Sequence, residues 1–266
     1  MRVVIVASGE AYQQAAAFSA RTYLTKSPNV EVFVLVPEGE PISNELLDGH
    51  EKNGFNLERF PFRQISERKF TSQLKCQAFV HALSMAFKGE LVALVDADTC
   101  CLQKILVPPE AAQRLKNGSI AMVPDIEDRH FTCPNDPWYL TENERLAYVN
   151  SGVILATATS LSMFRRFRSL SEQSRFLHGP FNDQKVINFA LGKYFRDRLV
   201  MLEKKYNFIG PPFPTATIIA HFAGGAGYLG QQRRKLLHES FCTDAINGDP
   251  PIKQKKEGRV SEPPRR

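Results

Sequence analysis

Unbroken apolar runs recur along the chain. They are Val3 to Ala7, Val30 to Val36 with one polar interruption, Leu91 to Val95, Ile120 to Val123, Val153 to Leu155, Leu199 to Leu202 and Ile218 to Phe222. Runs without polar alternation indicate strands covered on both faces, as in parallel sheets. Between them, apolar residues return at helical spacing. Tyr12 to Leu24 presents Ala16, Ala20, Tyr23 and Leu24; Ser72 to Phe87 presents Leu74, Ala78, Ala82 and Met85. Ser160 to Leu170 (Leu161, Phe164, Phe167) and Asp183 to Leu191 (Val186, Ile187, Ala190) repeat the pattern, and a shorter helix is expected over Ser43 to His50. This alternation predicts an α/β domain with a mostly parallel central sheet and flanking helices, opening on a βαβ unit of nucleotide-binding type. The polar stretch Pro124 to Leu146 holds Pro134, Pro137 and the single tryptophan, Trp138. A loop of that length in a compact domain is usually functional, here a lid or an acceptor site. Trp138 and Tyr139 are candidates for stacking on an acceptor sugar, with simple packing as the competing role.

The 266 residues suffice for one large core, and 43% hydrophobic with 23% charged residues is a globular composition. Residues 1–242 are read as one domain and 243–266 as a basic, disordered tail, because composition shifts there to Pro, Lys, Glu and Gly. Of the net charge of +6, the segment from Pro250 carries +4, with six basic residues against two acidic ones, leaving the remainder at +2. A nearly neutral body argues against a nucleic-acid-binding face. The tail suits peripheral contact with an anionic membrane, or else is a solvated end without a role. No run approaches the roughly 18 apolar residues of a membrane span, and Met1 to Ala7 is too short for a signal peptide, so a cytoplasmic protein is expected. Five cysteines without ligand spacing are expected as reduced thiols.

Chemistry concentrates where Leu91 to Val95 ends in Asp96-Ala97-Asp98. Carboxylates at the C-terminal end of a strand lie where open α/β sheets bind ligands, and two hard oxygen donors suit Mn²⁺ or Mg²⁺ completed by a diphosphate. The competing structural role is that Asp96 caps the strand and Asp98 starts a turn. Gly225-Ala226-Gly227-Tyr228-Leu229-Gly230 matches a dinucleotide-binding pattern, yet only a polar tail follows it, which excludes a βαβ dehydrogenase unit. A glycine-rich loop that lets backbone N–H groups approach an anion is the narrower inference. His221 immediately precedes that loop, either as a metal ligand or as a hydrogen-bonded core residue. Gly-x-Ser-x-Gly, Walker A and His-Glu-x-x-His are all absent.

Taken in order, Asp96-Ala97-Asp98, Asn150-Ser151-Gly152-Val153, Asn182-Asp183-Gln184 with Asn188, Tyr206-Asn207 and His221-Phe222-Ala223-Gly224 resemble the motif series of the family 8 glycosyltransferases. The resemblance spans Arg2 to Gly230. It implies a GT-A fold and transfer of a hexose, with retention, from a UDP-sugar to a saccharide or lipid-linked saccharide acceptor. It further implies that Asp96, Asp98 and His221 hold Mn²⁺ and that Asp183 and Gln184 are catalytic. Ala7, Tyr12, Lys75, Asp96, Ala97, Asn150, Ser151, Gly224 and Gly227 would line the donor, with Ala7 and Tyr12 at the uracil and Lys75 reaching a phosphate or Asp96. Each has a bland alternative: Asn150 shaping a turn, Asp183 capping a helix, Gln184 solvated, Tyr12 in the core. Two departures stand out. Ser8-Gly9 follows the first strand where acidic residues are usual, and Gly227 replaces a usual lysine, with Arg233 or Arg234 as substitutes. They keep open a non-catalytic nucleotide-sugar-binding or partner-binding protein on the same fold, or a transferase using another nucleotide.

Overall fold

The structure is a computed structural model that describes residues 1–65, 70–125, 138–173, 183–210, 213–222, 238–240 and 242–247. The strands are β1 (Arg2–Val6), β2 (Glu31–Pro37), β3 (Asn56–Phe60), β4 (Leu91–Asp96), β5 (Thr99–Cys101), β6 (Ile120–Pro124), β7 (Val149–Thr157), β8 (Leu199–Met201), β9 (Phe208–Ile209) and β10 (Ile219–His221). The helices are α1 (Glu10–Lys26), α2 (Asn44–Asn53), α3 (Phe70–Met85), α4 (Pro109–Lys116), α5 (Leu161–Ser171) and α6 (Asp183–Tyr194). Seven strands form the central sheet in the order β3-β2-β1-β4-β7-β6-β8, and β5-β10-β9 form a small second sheet. Only β7 runs against its neighbours in the large sheet.

The uninterrupted apolar runs behave as their patterns require. Val4, Val6, Leu94, Met122 and Ile154 pack under α3, α5 and α6, while Val3, Ile5, Ala93, Val95, Val153 and Leu155 pack in a second cluster with α1, α2 and α4. One sheet thus buries both faces between two helical layers. Register then collects chain ends at one edge. Val6 pairs with both Leu35 and Asp96, so β1, β2 and β4 finish side by side. Because β7 is antiparallel, it begins at that edge, with Val149 opposite Pro124.

Several short elements lie outside the sequence reading: β3, β5, α4 and β9. Residues 242–247 are helical, and Cys242 and Ala245 pack with Cys100, Ala220 and Phe222. Two small buried residues three apart follow helical spacing, which the polar composition around them conceals. No helix among the described residues is long and apolar enough to cross a membrane. Cys76, Cys100, Cys101 and Cys242 are buried free thiols.

Candidate functional site

The small sheet assembles the site. After β4 the chain turns through Asp96 to Asp98, with Thr99 Oγ1 donating to the Asp96 carbonyl at 2.8 Å. β10 pairs antiparallel with β5, setting His221 opposite Thr99, and the Phe222 N–H donates to the Asp98 carbonyl at 3.0 Å. Residues more than 120 positions apart in the sequence are thereby brought to one point. His221 Nε2 lies 3.5 Å from Asp96 Oδ2 and 3.4 Å from Asp98 Oδ1. One ligand atom from each of the three residues falls within 4.8 Å of the others. Nε2 is buried and makes no hydrogen bond. A buried nitrogen without a hydrogen bond of its own, facing two carboxylates, is a donor set that fits a divalent cation.

Lys75, on α3, lies on the far side of Asp96. Its Nζ is 2.5 Å from Asp96 Oδ1 and 2.9 Å from Asp183 Oδ2, at the start of α6. Burial works against the ammonium, but Asp183 and Asp96 outweigh it, so Lys75 stays charged well beyond the ordinary lysine range. Burial likewise opposes ionisation of Asp96, and Lys75 and His221 overcome it, holding the carboxyl below its ordinary value. Asp98 is lowered in the same way, with His221 outweighing burial. For His221, burial favours the neutral ring, yet Asp98 and Asp96 dominate and raise it to about 9.

A second group of side chains supports the first. The β6–β7 ladder shifts register between Met122 and Val123, so that Val123 pairs with Asn150 while Met122 pairs with Ile154. Such an irregularity leaves Ser151 to Val153 without partners on β6. Asn150 Nδ2 donates to Asp125 Oδ2 at 3.1 Å, and its Oδ1 accepts from Gly152 N–H and from Asn207 Nδ2, both at 2.7 Å. Asn207 Oδ1 in turn lies 2.9 Å from His221 Nδ1. Gln184 Nε2 donates to Asp125 Oδ2 at 3.0 Å, and its Oε1 accepts from Ser151 N–H at 3.2 Å. Asn188 brackets Val149, accepting from its N–H and donating to its carbonyl, both at 2.8 Å.

Asp96, Asp98, His221, Lys75, Asp183, Gln184, Asn150 and Ser151 therefore belong to one connected region. Gln184 is bonded to protein groups rather than solvated. Tyr12 is 58% exposed and not core, and it lies close enough to Asp98 and Asp96 that they, after burial, raise its hydroxyl pKa. Ala7 and Ala97 are buried in the α1-side core, so Ala7 offers a ligand no exposed side chain. Trp138 is 2% exposed and meets Phe189 edge-on at 5.2 Å, which makes it core and removes it as a stacking platform for an acceptor. Gly224 and Gly227, with Arg233 and Arg234, lie outside the described residues. Where Ser8-Gly9 lacks an acid, Glu40 supplies one from the loop after β2. Its carboxylate accepts from Ser8 Oγ at 2.8 Å, from the Gly9 N–H, and from Gln13 Nε2 at 3.4 Å. Asp125 and Glu40 escaped the sequence reading; Asp125, directly after β6, carries the same strand-end signal as Asp96.

The architecture and the strand-end site define a mixed α/β domain of GT-A type. Across 96% of its length and 98% of the other's, the chain resembles a crystal structure of the galactosyltransferase LgtC in complex with donor and acceptor sugar analogs, at 14% identity and a TM-score of 0.63. An active-site mutant of LgtC aligns over 96% of this chain and 98% of its own, at 13% identity and a TM-score of 0.59. At such identities the likeness establishes the fold. Neither a protein-family model nor a curated protein matches the sequence.

Proposed function

We propose that the protein is a retaining glycosyltransferase that moves a hexose from a UDP-sugar to a saccharide or lipid-linked saccharide acceptor. Asp96, Asp98 and His221 would hold Mn²⁺. The observation that carries this reading is the convergence of two carboxylates and a buried imidazole nitrogen at the C-terminal edge of a GT-A sheet. Bound there, a divalent cation supplies charge neutralisation to a departing diphosphate. The chain's own residues do the rest. Lys75 pairs with both Asp96 and Asp183, which sets a carboxylate beside a sugar that becomes cationic as its bond to UDP lengthens. In this reading Asp183 and Gln184 flank that sugar, Tyr12 meets the base, and Asn150, Ser151, Gly224 and Gly227 border the donor. The Lys75 bridge also ties the metal strand to α6.

Calorimetric titration of UDP with and without Mn²⁺ tests the reading. Binding should strengthen at least tenfold with the metal in the wild type and not in Asp98→Ala. Metal-independent UDP affinity would remove the metal from the site.

A further inference from the structure

We propose that Asn207 and Asn150 are positioning residues that hold the His221 ring with a proton on Nδ1 and its Nε2 facing Asp96 and Asp98. The proposal rests on the reading of that triad as a divalent-cation site. The hydrogen bonds can run in one direction only. The Gly152 amide is solely a donor, so the Asn150 atom 2.7 Å from it is the carbonyl Oδ1. The Asp125 carboxylate accepts, so Asn150 Nδ2 faces it. Asn150 Oδ1 also faces Asn207 at 2.7 Å, which makes that Asn207 atom the donor Nδ2. Asn207 Oδ1 is left 2.9 Å from His221 Nδ1, and an oxygen without a proton at that place requires Nδ1–H. In the neutral ring the lone pair then sits on Nε2, the tautomer an imidazole needs to bind a cation through that atom.

Burial makes the arrangement firm. Asn150, Asn207 and His221 are 6%, 2% and 2% exposed, so water does not compete for their amides. Gly152 adds a steric limit, because a Cβ there would overlap Cε1 and Nδ1 of the His221 ring. The ring is held against backbone on one edge and by Asn207 on another. The order of the chain, carboxylate to amide to amide to imidazole, thus connects the end of β6, β7 and the turn before β9 to His221 on β10.

Mn²⁺ titration of the full-length, metal-free protein, read by the electron paramagnetic resonance of free ion, is the test. Asn207→Ala should bind about 10–100-fold more weakly than wild type. Asn207→Asp keeps an oxygen acceptor against Nδ1–H and should bind like wild type, although its other oxygen meets Asn150 Oδ1 and should lower the thermal midpoint. Wild-type affinity in Asn207→Ala overturns the proposal and leaves the metal site standing. Equal loss in both variants marks a packing role and also overturns it. Failure of the wild type itself to bind Mn²⁺ would instead reject the metal reading. Nitrogen-15 spectra of the metal-free wild type at alkaline pH, where the ring is neutral, decide the tautomer independently: a proton on Nδ1 is expected, and a proton on Nε2 overturns the proposal.

Discussion

Gly152 shows how tightly single residues are specified around the imidazole. Any side chain there would overlap the His221 ring and approach Asn150 Oδ1 to 2.9 Å. Gly152→Ala should therefore leave the far-ultraviolet circular dichroism unchanged while weakening Mn²⁺ binding by tenfold or more; unaltered binding would mean that the ring has another way to sit. His221 also predicts a pH dependence. Its folded-state pKa is raised to about 9, from an ordinary value of about 6.5, because Asp98 and Asp96 outweigh burial. The stability this adds to the metal-free protein is complete below about pH 6.5 and is lost as pH climbs through about 9. Urea midpoints of wild type should thus fall relative to His221→Gln over that interval, and a constant difference would contradict the ion pair. At this scale much could be read in the sequence. Asp96 and Asp98 are recognisable because two acids end an apolar strand, and His221 because it ends another. Lys75 is harder, since its partner Asp183 is 108 positions away and only packing of α3 near α6 unites them. Asn207 was visible as part of a motif, but its partners are fixed by a register shift in β7, which no local pattern records.

Elements divide by length. Long strands and helices with buried faces were legible because each carries enough apolar positions to define a period. β5, β9 and α4 were not, since β5 and β9 have three and two residues and exist through pairing with β10. β3 pairs only with β2 at the edge of the large sheet, and its Asn-Leu-Glu-Arg-Phe sequence has no uninterrupted apolar run. The α5 periodicity should have a direct energetic consequence. Phe164 is fully buried and meets Phe79 of α3 at 6.0 Å and Phe167 at 5.1 Å, both edge-on. Phe164→Ala should lower stability by about 3–5 kcal/mol through lost burial and a residual cavity. Mn²⁺ affinity should not change, because Phe164 lies on α5, which supplies none of Asp96, Asp98 and His221. A loss below about 1 kcal/mol, measured by denaturant unfolding, would mean that the aromatic cluster collapses around the gap.

For the whole molecule, the fold class followed from alternating strands and helices, whereas the strand order and the antiparallel insertion of β7 are properties of tertiary pairing. That insertion matters, because it brings Asn150 to the edge where β4 delivers Asp96. The charge distribution supports a separate expectation. Removing residues 250–266 takes away +4 of the net +6. Each basic residue near an anionic surface contributes about 1 kcal/mol, so the truncated protein should co-sediment less with anionic vesicles at low salt while keeping activity on a soluble acceptor. Equal co-sedimentation would leave the tail without a membrane role. The most direct measurement is release of UDP from a panel of UDP-hexoses by purified protein, with Mn²⁺ or with excess chelator. We expect release from at least one donor with Mn²⁺, none with chelator, and none from Asp98→Ala with Mn²⁺. Release that persists in chelator, or at wild-type rate in Asp98→Ala, would contradict a metal-dependent transferase built on Asp96, Asp98 and His221.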